Sequence, residues 1–215
     1  MPANPFPYIF HFVSLSSKCN ETRMEKTKWS ENVILIDCDY ADEVTRNLKV
    51  NYSRMLNRSI PQADLAQWLV CLSLDGGITP GSNSIQVILV HTKDKRRLEN
   101  FIPSDYEKDI DGKAFSDNAM GEYILSALRI ENLVSAEDFL FQAAETLVDA
   151  KEVKRLIFVA DTAKYGERFK NLWNKVEDKA VTWLAMQPLS GKGFHSEILG
   201  YSLTNALGIR ADEFK

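Results

Sequence analysis

Val33-Ile34-Leu35-Ile36-Asp37-Cys38-Asp39 puts four aliphatic residues in a row and then two carboxylates around a cysteine. The run is too short for a helix and apolar at each of its first positions. It therefore predicts a strand buried on both faces, as in the middle of a parallel sheet covered by helices. Side chains of an extended chain alternate, so Asp37 and Asp39 are expected on one face and Cys38 on the other. Both carboxylates stand at the carboxyl end of the strand, where open α/β sheets hold their ligands.

Downstream of this strand the apolar period changes. Val44, Leu48, Tyr52 and Met55 recur every three or four residues and predict a helix, with Asp42 and Glu43 at its amino end. Pro61 suits a first helical position ahead of the stripe Leu65, Leu69, Leu72, and Asp75-Gly76-Gly77 ends it. Ile85–Val90 predicts a second buried strand, ending at His91, with a short charged helix over Lys93–Asn100. Residues 101–116 carry no pattern and predict a long loop. Met120, Ile124 and Leu128 predict a further helix, as do Leu140, Ala144 and Leu147, the latter opened by a capping box at Ser135 and Asp138. Leu156–Asp161 predicts a third strand, again ending in aspartate, and Tyr165, Phe169, Leu172 and Val176 a helix. Val181–Met186 predicts a fourth strand, and Leu199, Leu203 and Leu207 a last helix closed by Gly208.

Strands alternating with helices, without hairpin-length connections, predict an α/β fold. The expected form is a three-layer α/β/α arrangement on a mostly parallel sheet of about four strands, Rossmann-like or PIN-like. Residues 31–215 read as one such domain. Residues 1–30 read as a poorly structured extension, in which the apolar Tyr8–Leu15 lacks the basic start of a signal peptide. Met24 is a plausible initiator within it.

The net charge of −4 and pI near 5.5 give no basic field for a phosphate backbone, which disfavours nucleic acid as a partner. Cys19, Cys38 and Cys71 are odd in number and widely spaced, which points to a reducing, cytoplasmic setting and away from structural zinc. No apolar run reaches the ~20 residues of a membrane helix. A homo-oligomer is left open.

Asp37, Asp39 and Asp161 form the leading constellation. If their strands are neighbours, the carboxylates converge, and hard oxygen ligands without His or Cys select Mg²⁺ or Mn²⁺. The competing reading is that each aspartate caps the helix that follows. Gly191-Lys192-Gly193, expected between a strand and a helix, is a candidate phosphate or nucleotide loop, although its glycines flank the lysine and miss the P-loop spacing. Glu107, Asp109, Asp111 and Gly112 begin like a calcium loop, but Asn118 stands where the bidentate glutamate belongs, so a solvated acidic loop is expected. His91 and His195 have no nucleophile motif beside them and read as loop histidines. Trp68, Trp173 and Trp183 are either core or part of a contact surface.

Two resemblances follow from these residues. The run from Val33 to Phe214, particularly Val33–Asp39, Lys151–Asp161, Ala185-Met186-Gln187-Pro188 and Leu199-Gly200-Tyr201-Ser202, resembles an uncharacterised protein family of Bacteroidetes bacteria. No activity is implied by that match. The order of elements also resembles the PIN/NYN nuclease superfamily: Ile36-Asp37 matches its first acidic position, Glu137 and Asp138 the second, and Ala160-Asp161 the third. This resemblance implies Mg²⁺-dependent phosphodiester hydrolysis, with Asp37 and Asp161 catalytic and the metal held by Asp37, Asp161 and Glu137 or Asp138; Asp39, from the strand-end constellation, stands in support as a further metal ligand. The departures are Ala160 in place of glycine, Ala163 in place of a further aspartate, and Tyr40 in place of a polar residue. The alternative is an inactive α/β module that binds a partner protein or a small polar or nucleotide ligand at the same edge.

Overall fold

A computed structural model describes residues 28–130 and 134–214. The expectation for the extension lies outside the described residues up to position 27. Trp29 and Ser30 already belong to the folded body: Trp29 packs on the core, and the Ser30 amide donates to the Gln86 side chain at 2.9 Å.

The elements in chain order are β1 (Asn32–Asp37), α1 (Cys38–Leu56), β2 (Ala63–Asp64), α2 (Leu65–Asp75), β3 (Asn83–Thr92), β4 (Phe101–Ile102), β5 (Ala114–Asp117) and β6 (Gly121–Ile130). They continue with α3 (Ala136–Asp149), β7 (Arg155–Val159), α4 (Thr162–Trp173), β8 (Ala180–Ala185), β9 (His195–Ile198) and α5 (Leu199–Ala206). A seven-stranded sheet runs in the order β5-β6-β3-β1-β7-β8-β9, and β2 pairs with β4 in a small second sheet. All neighbours in the large sheet are parallel except β5 and β6. The fold is thus α/β on a large, mostly parallel sheet.

The alternation of β1 divides the core. Ile34 and Ile36 enter one cluster with Val44 of α1, Trp68, Leu69 and Leu72 of α2, and Leu199 and Leu203 of α5. Val33 and Leu35 enter another with Leu140 and Leu147 of α3 and Phe169 of α4. Helices therefore bury apolar stripes against both sets of strand side chains. In the second cluster Phe158, Phe169, Trp173 and Trp183 contact one another with ring centroids 4.7–5.9 Å apart. Each such side chain, fully buried, contributes ~1.5–3 kcal/mol. Trp68, Trp173 and Trp183 are fully buried, so they are core and not contact surface.

Several local expectations are corrected. Residues 121–130 form strand β6, not a helix, because Tyr123, Leu125, Leu128 and Ile130 are buried on alternate sides. The sheet has seven strands where about four were expected, and β5–β6 is a hairpin. Lys93–Asn100 is not helical; it turns back so that Arg97 bridges Asp105. Residues 101–116 are not an open loop. Phe101, Tyr106 and Ile110 pin them to the core around a π-helical turn at Tyr106–Ile110. The α2 cap is Asp64, whose carboxylate accepts from the Gln67 amide, and Pro61 lies before the helix.

Candidate functional site

Strand β1 lies between β3 and β7. The chain leaves β1 towards β3 on one side, and leaves β7 towards β8 on the other. Divergent connections of this kind open a crevice at the carboxyl ends of the two strands. Asp37 ends β1 and Asp161 follows β7, so the leading sequence constellation flanks this crevice.

Asp37 is buried, with 8% of its surface exposed. One carboxylate oxygen caps α1, accepting from the Asp39 and Tyr40 amides at 3.2 Å each. The other accepts from the Tyr165 hydroxyl at 3.1 Å. Burial pushes the Asp37 carboxyl above its usual value of 3.8; the Tyr40 amide opposes this, the neighbouring Asp39 adds to it, and Tyr165 opposes it. Asp161 caps α4 by accepting from the Ala163 amide at 2.9 Å. Both aspartates raise the Tyr40 and Tyr165 phenols, after burial as the main cause, so the two carboxylates and two phenols share one neighbourhood. The Tyr40 hydroxyl accepts from the Met186 amide at 2.9 Å and links α1 to the end of β8.

The other predicted ligands are engaged elsewhere. The alternation expected for Asp37, Cys38 and Asp39 stops at Asp37, because α1 begins at Cys38; Asp39 sits on the first helical turn and pairs with Lys95 at 3.2 Å. Glu137 and Asp138 open α3 as expected, with the Asp138 amide donating to Ser135 at 3.0 Å. Their carboxylates meet Arg168 of α4 at 3.5 and 2.6 Å. Arg168 and Ser135 hold the Asp138 carboxyl below its usual value. Among the described residues no group of three or more His, Cys, Asp or Glu side chains is placed to hold a metal ion.

Gly191-Lys192-Gly193 leads into strand β9, not into a helix; α5 starts only at Leu199. The phosphate reading of this loop loses the helix N-terminus on which it rested. The loop is instead fastened to the end of α4: the Lys192 amide donates to the Asn174 side chain at 3.2 Å, and Gly193, at φ 77°, passes against the Trp173 carbonyl. The acidic loop is likewise committed, since Asp105 caps the π-helical turn and Asp111 accepts from the Ala127 amide at 2.9 Å.

His91 and His195 lie in strands β3 and β9, not in loops. His91 is buried and stacks on Tyr106 with centroids 3.8 Å apart. Neither Tyr165 nor Tyr40 was singled out as a site residue by its spacing. Tyr165 sits four residues after a strand-ending aspartate, one helical turn on, and this is the signal that marks it.

Cys38 and Cys71 are free thiols, and no helix among the described residues is long and apolar enough to cross a membrane. The DUF6621 family, described as a family of unknown function, matches residues 26–214, and the chain belongs to it. No curated protein and no solved structure matches the chain.

Proposed function

We propose that this chain is a three-layer, Rossmann-like module that binds a small, positively charged polar ligand at the crevice between β1 and β7. The observation that carries this reading is the buried Asp37 carboxylate, held at the strand divergence by the Tyr165 hydroxyl and two amides. The helix amino ends at this edge are already capped by Asp37, Ser135 and Asp161, so backbone amides there do not invite a phosphate. Acidic groups instead favour a cation. Spermidine and agmatine are suitable first probes. Either should raise the melting temperature of the intact protein and act less on Asp161→Asn; no response to either at millimolar concentration removes this reading.

A second reading is the metal-dependent nuclease or phosphohydrolase of PIN/NYN type, using Asp37 and Asp161 with Asp39, Glu137 or Asp138 and Mg²⁺ or Mn²⁺. It is supported by the adjacency of β1 and β7, which puts Asp37 and Asp161 at neighbouring strand ends. The engagement of Asp39 with Lys95 and of Glu137 and Asp138 with Arg168 weighs against it. Melts in EDTA and in millimolar Mn²⁺ separate the readings: a bound metal at one hundred times its dissociation constant adds about 2.7 kcal/mol.

A further inference from the structure

Lys164 brings a cation to the carboxyl-edge crevice from within the chain. It stands on the first turn of α4, just after the Asp161 cap, and its ammonium lies 4.9 Å from the centroid of the Tyr165 ring. The hydroxyl of that same ring donates to Asp37 at 3.1 Å. An ammonium at such a distance from an aromatic face is held by the negative charge of the π system. Tyr165 and Asp37 are both buried, whereas Lys164 is exposed, so the lysine stands between this floor and solvent. The other charged side chains around it are engaged. Lys95 lies 3.2 Å from Asp39, Arg168 lies 3.5 and 2.6 Å from Glu137 and Asp138, and Asp161 accepts from the Ala163 amide. Lys164 pairs with no carboxylate within 4 Å among the described residues; its printed contact is the ring that holds Asp37. Its charge also acts on Asp37, lowering that carboxyl against the larger effect of burial.

We infer that Lys164 is a built-in competitor for the crevice: its ammonium takes the face of Tyr165 beside Asp37 that a cationic ligand needs, and the ligand binds by displacing it. The inference rests on the cation-binding reading above and adds the regulation of that site. Two positive charges on one ring face repel each other, so ligand and lysine exclude one another. The flexible four-carbon stem of lysine lets the displaced ammonium swing into water without moving α4. A neutral side chain at this position leaves the ring and the carboxylate to the ligand, whereas arginine keeps a cation that stacks on aromatic faces.

The test is calorimetric titration of the intact protein with spermidine and, separately, agmatine at neutral pH, on the parent and three variants. Lys164→Met removes the charge and keeps an unbranched stem, and Lys164→Arg keeps the charge. Lys175→Met removes an equal charge from an exposed position just past the far end of α4, beyond the reach of screened electrostatics. All three sites are on the surface, so each variant should melt like the parent. Lys164→Met should bind the probes about tenfold more tightly than the parent, and the other two variants within about threefold of it. Equal affinity of Lys164→Met and the parent would overturn the competition while leaving the cation site in place. A gain in Lys164→Arg or Lys175→Met as large as that in Lys164→Met would overturn it too, by reducing the effect to stem length or net charge. No binding of either probe to the parent would remove the cation-binding reading itself, and this inference with it.

Discussion

The Tyr165 hydroxyl donates a 3.1 Å hydrogen bond to the buried Asp37 carboxylate, so α4 is tied to the end of β1 across the crevice. A hydrogen bond to a buried charge is worth more than one between neutral groups, ~1.5–3 kcal/mol. Tyr165→Phe should therefore destabilise the protein by about that amount at neutral pH. Burial raises the folded pKa of Asp37, so the folded state holds this proton more tightly than the unfolded chain. Stability from this group is full below 3.8 and is lost as pH rises through the folded value. Removing Tyr165 raises that value further and deepens the loss. Denaturant melts of both proteins between acid and neutral pH should show the difference growing with pH; a constant difference would contradict a charged partner.

Replacing Asp37 itself separates its two roles. Asn keeps the cap through its single oxygen and turns its amide nitrogen into a donor to the Tyr165 hydroxyl oxygen, reversing that hydrogen bond while removing the buried charge. Asp37→Asn should therefore lie within about 1 kcal/mol of the parent at pH 7. Ala loses the cap and orphans the Tyr165 hydroxyl, which together cost ~2–4 kcal/mol. If Asp37 serves the crevice, Asn should match the parent in stability yet fail to respond to spermidine or Mn²⁺. A variant that is both stable and responsive would place the ligand elsewhere.

The central strands were legible because burial on both faces leaves continuous apolar runs, as in Val33–Ile36 and Leu156–Val159. β6 departs from the helical expectation for a definable reason. Met120, Ile124 and Leu128 are spaced by four, a spacing that fits a helical stripe and also fits every second pair of a strand. Tyr123 and Leu125, buried on the face opposite Leu128, break the tie. The edge strands β5 and β9 carry polar residues such as Ser116, Asp117, His195 and Glu197 and bury little, so their pairing leaves no apolar signature. At the site, the strand-ending aspartates were visible; their partners were not. Arg168, Lys95 and Tyr165 reach Asp138, Asp39 and Asp37 across 30, 56 and 128 positions of chain, and no local spacing encodes such contacts.

The loop before β9 offers a contrast between two glycines. A β-carbon on Gly193 would meet the Trp173 carbonyl at a positive φ of 77°, whereas one on Gly208, at φ 67°, would meet nothing within 4 Å. Gly208→Ala should cost only the backbone strain, ~1 kcal/mol, while Gly193→Ala adds a clash with backbone and should cost several times that. Lys192→Ala, exposed beside it, should leave the stability within ~0.5 kcal/mol of the parent. Equal losses for the two glycine variants would show that the loop is not held against α4.

His91 titrates with the opposite sign to Asp37. Burial is the main cause that holds its pKa below 6.5, with hydrogen bonds and the Asp39 charge opposing it. The folded state therefore binds this proton less readily than the unfolded chain, and stability is lost as pH falls below 6.5 towards the folded value. Its Nδ1 lies 3.0 Å from the Thr92 carbonyl, and its ring lies flat on Tyr106 with an interplanar angle of 4°. His91→Phe preserves a flat ring for Tyr106 but has no proton to bind. The variant should lose stability at pH 8 through the missing hydrogen bond, ~0.5–1.5 kcal/mol, yet lose less than the parent on going to pH 5. The two stability curves should converge as the pH falls through that interval. Parallel curves would mean that His91 keeps an ordinary affinity for its proton in the fold and that acid sensitivity arises elsewhere.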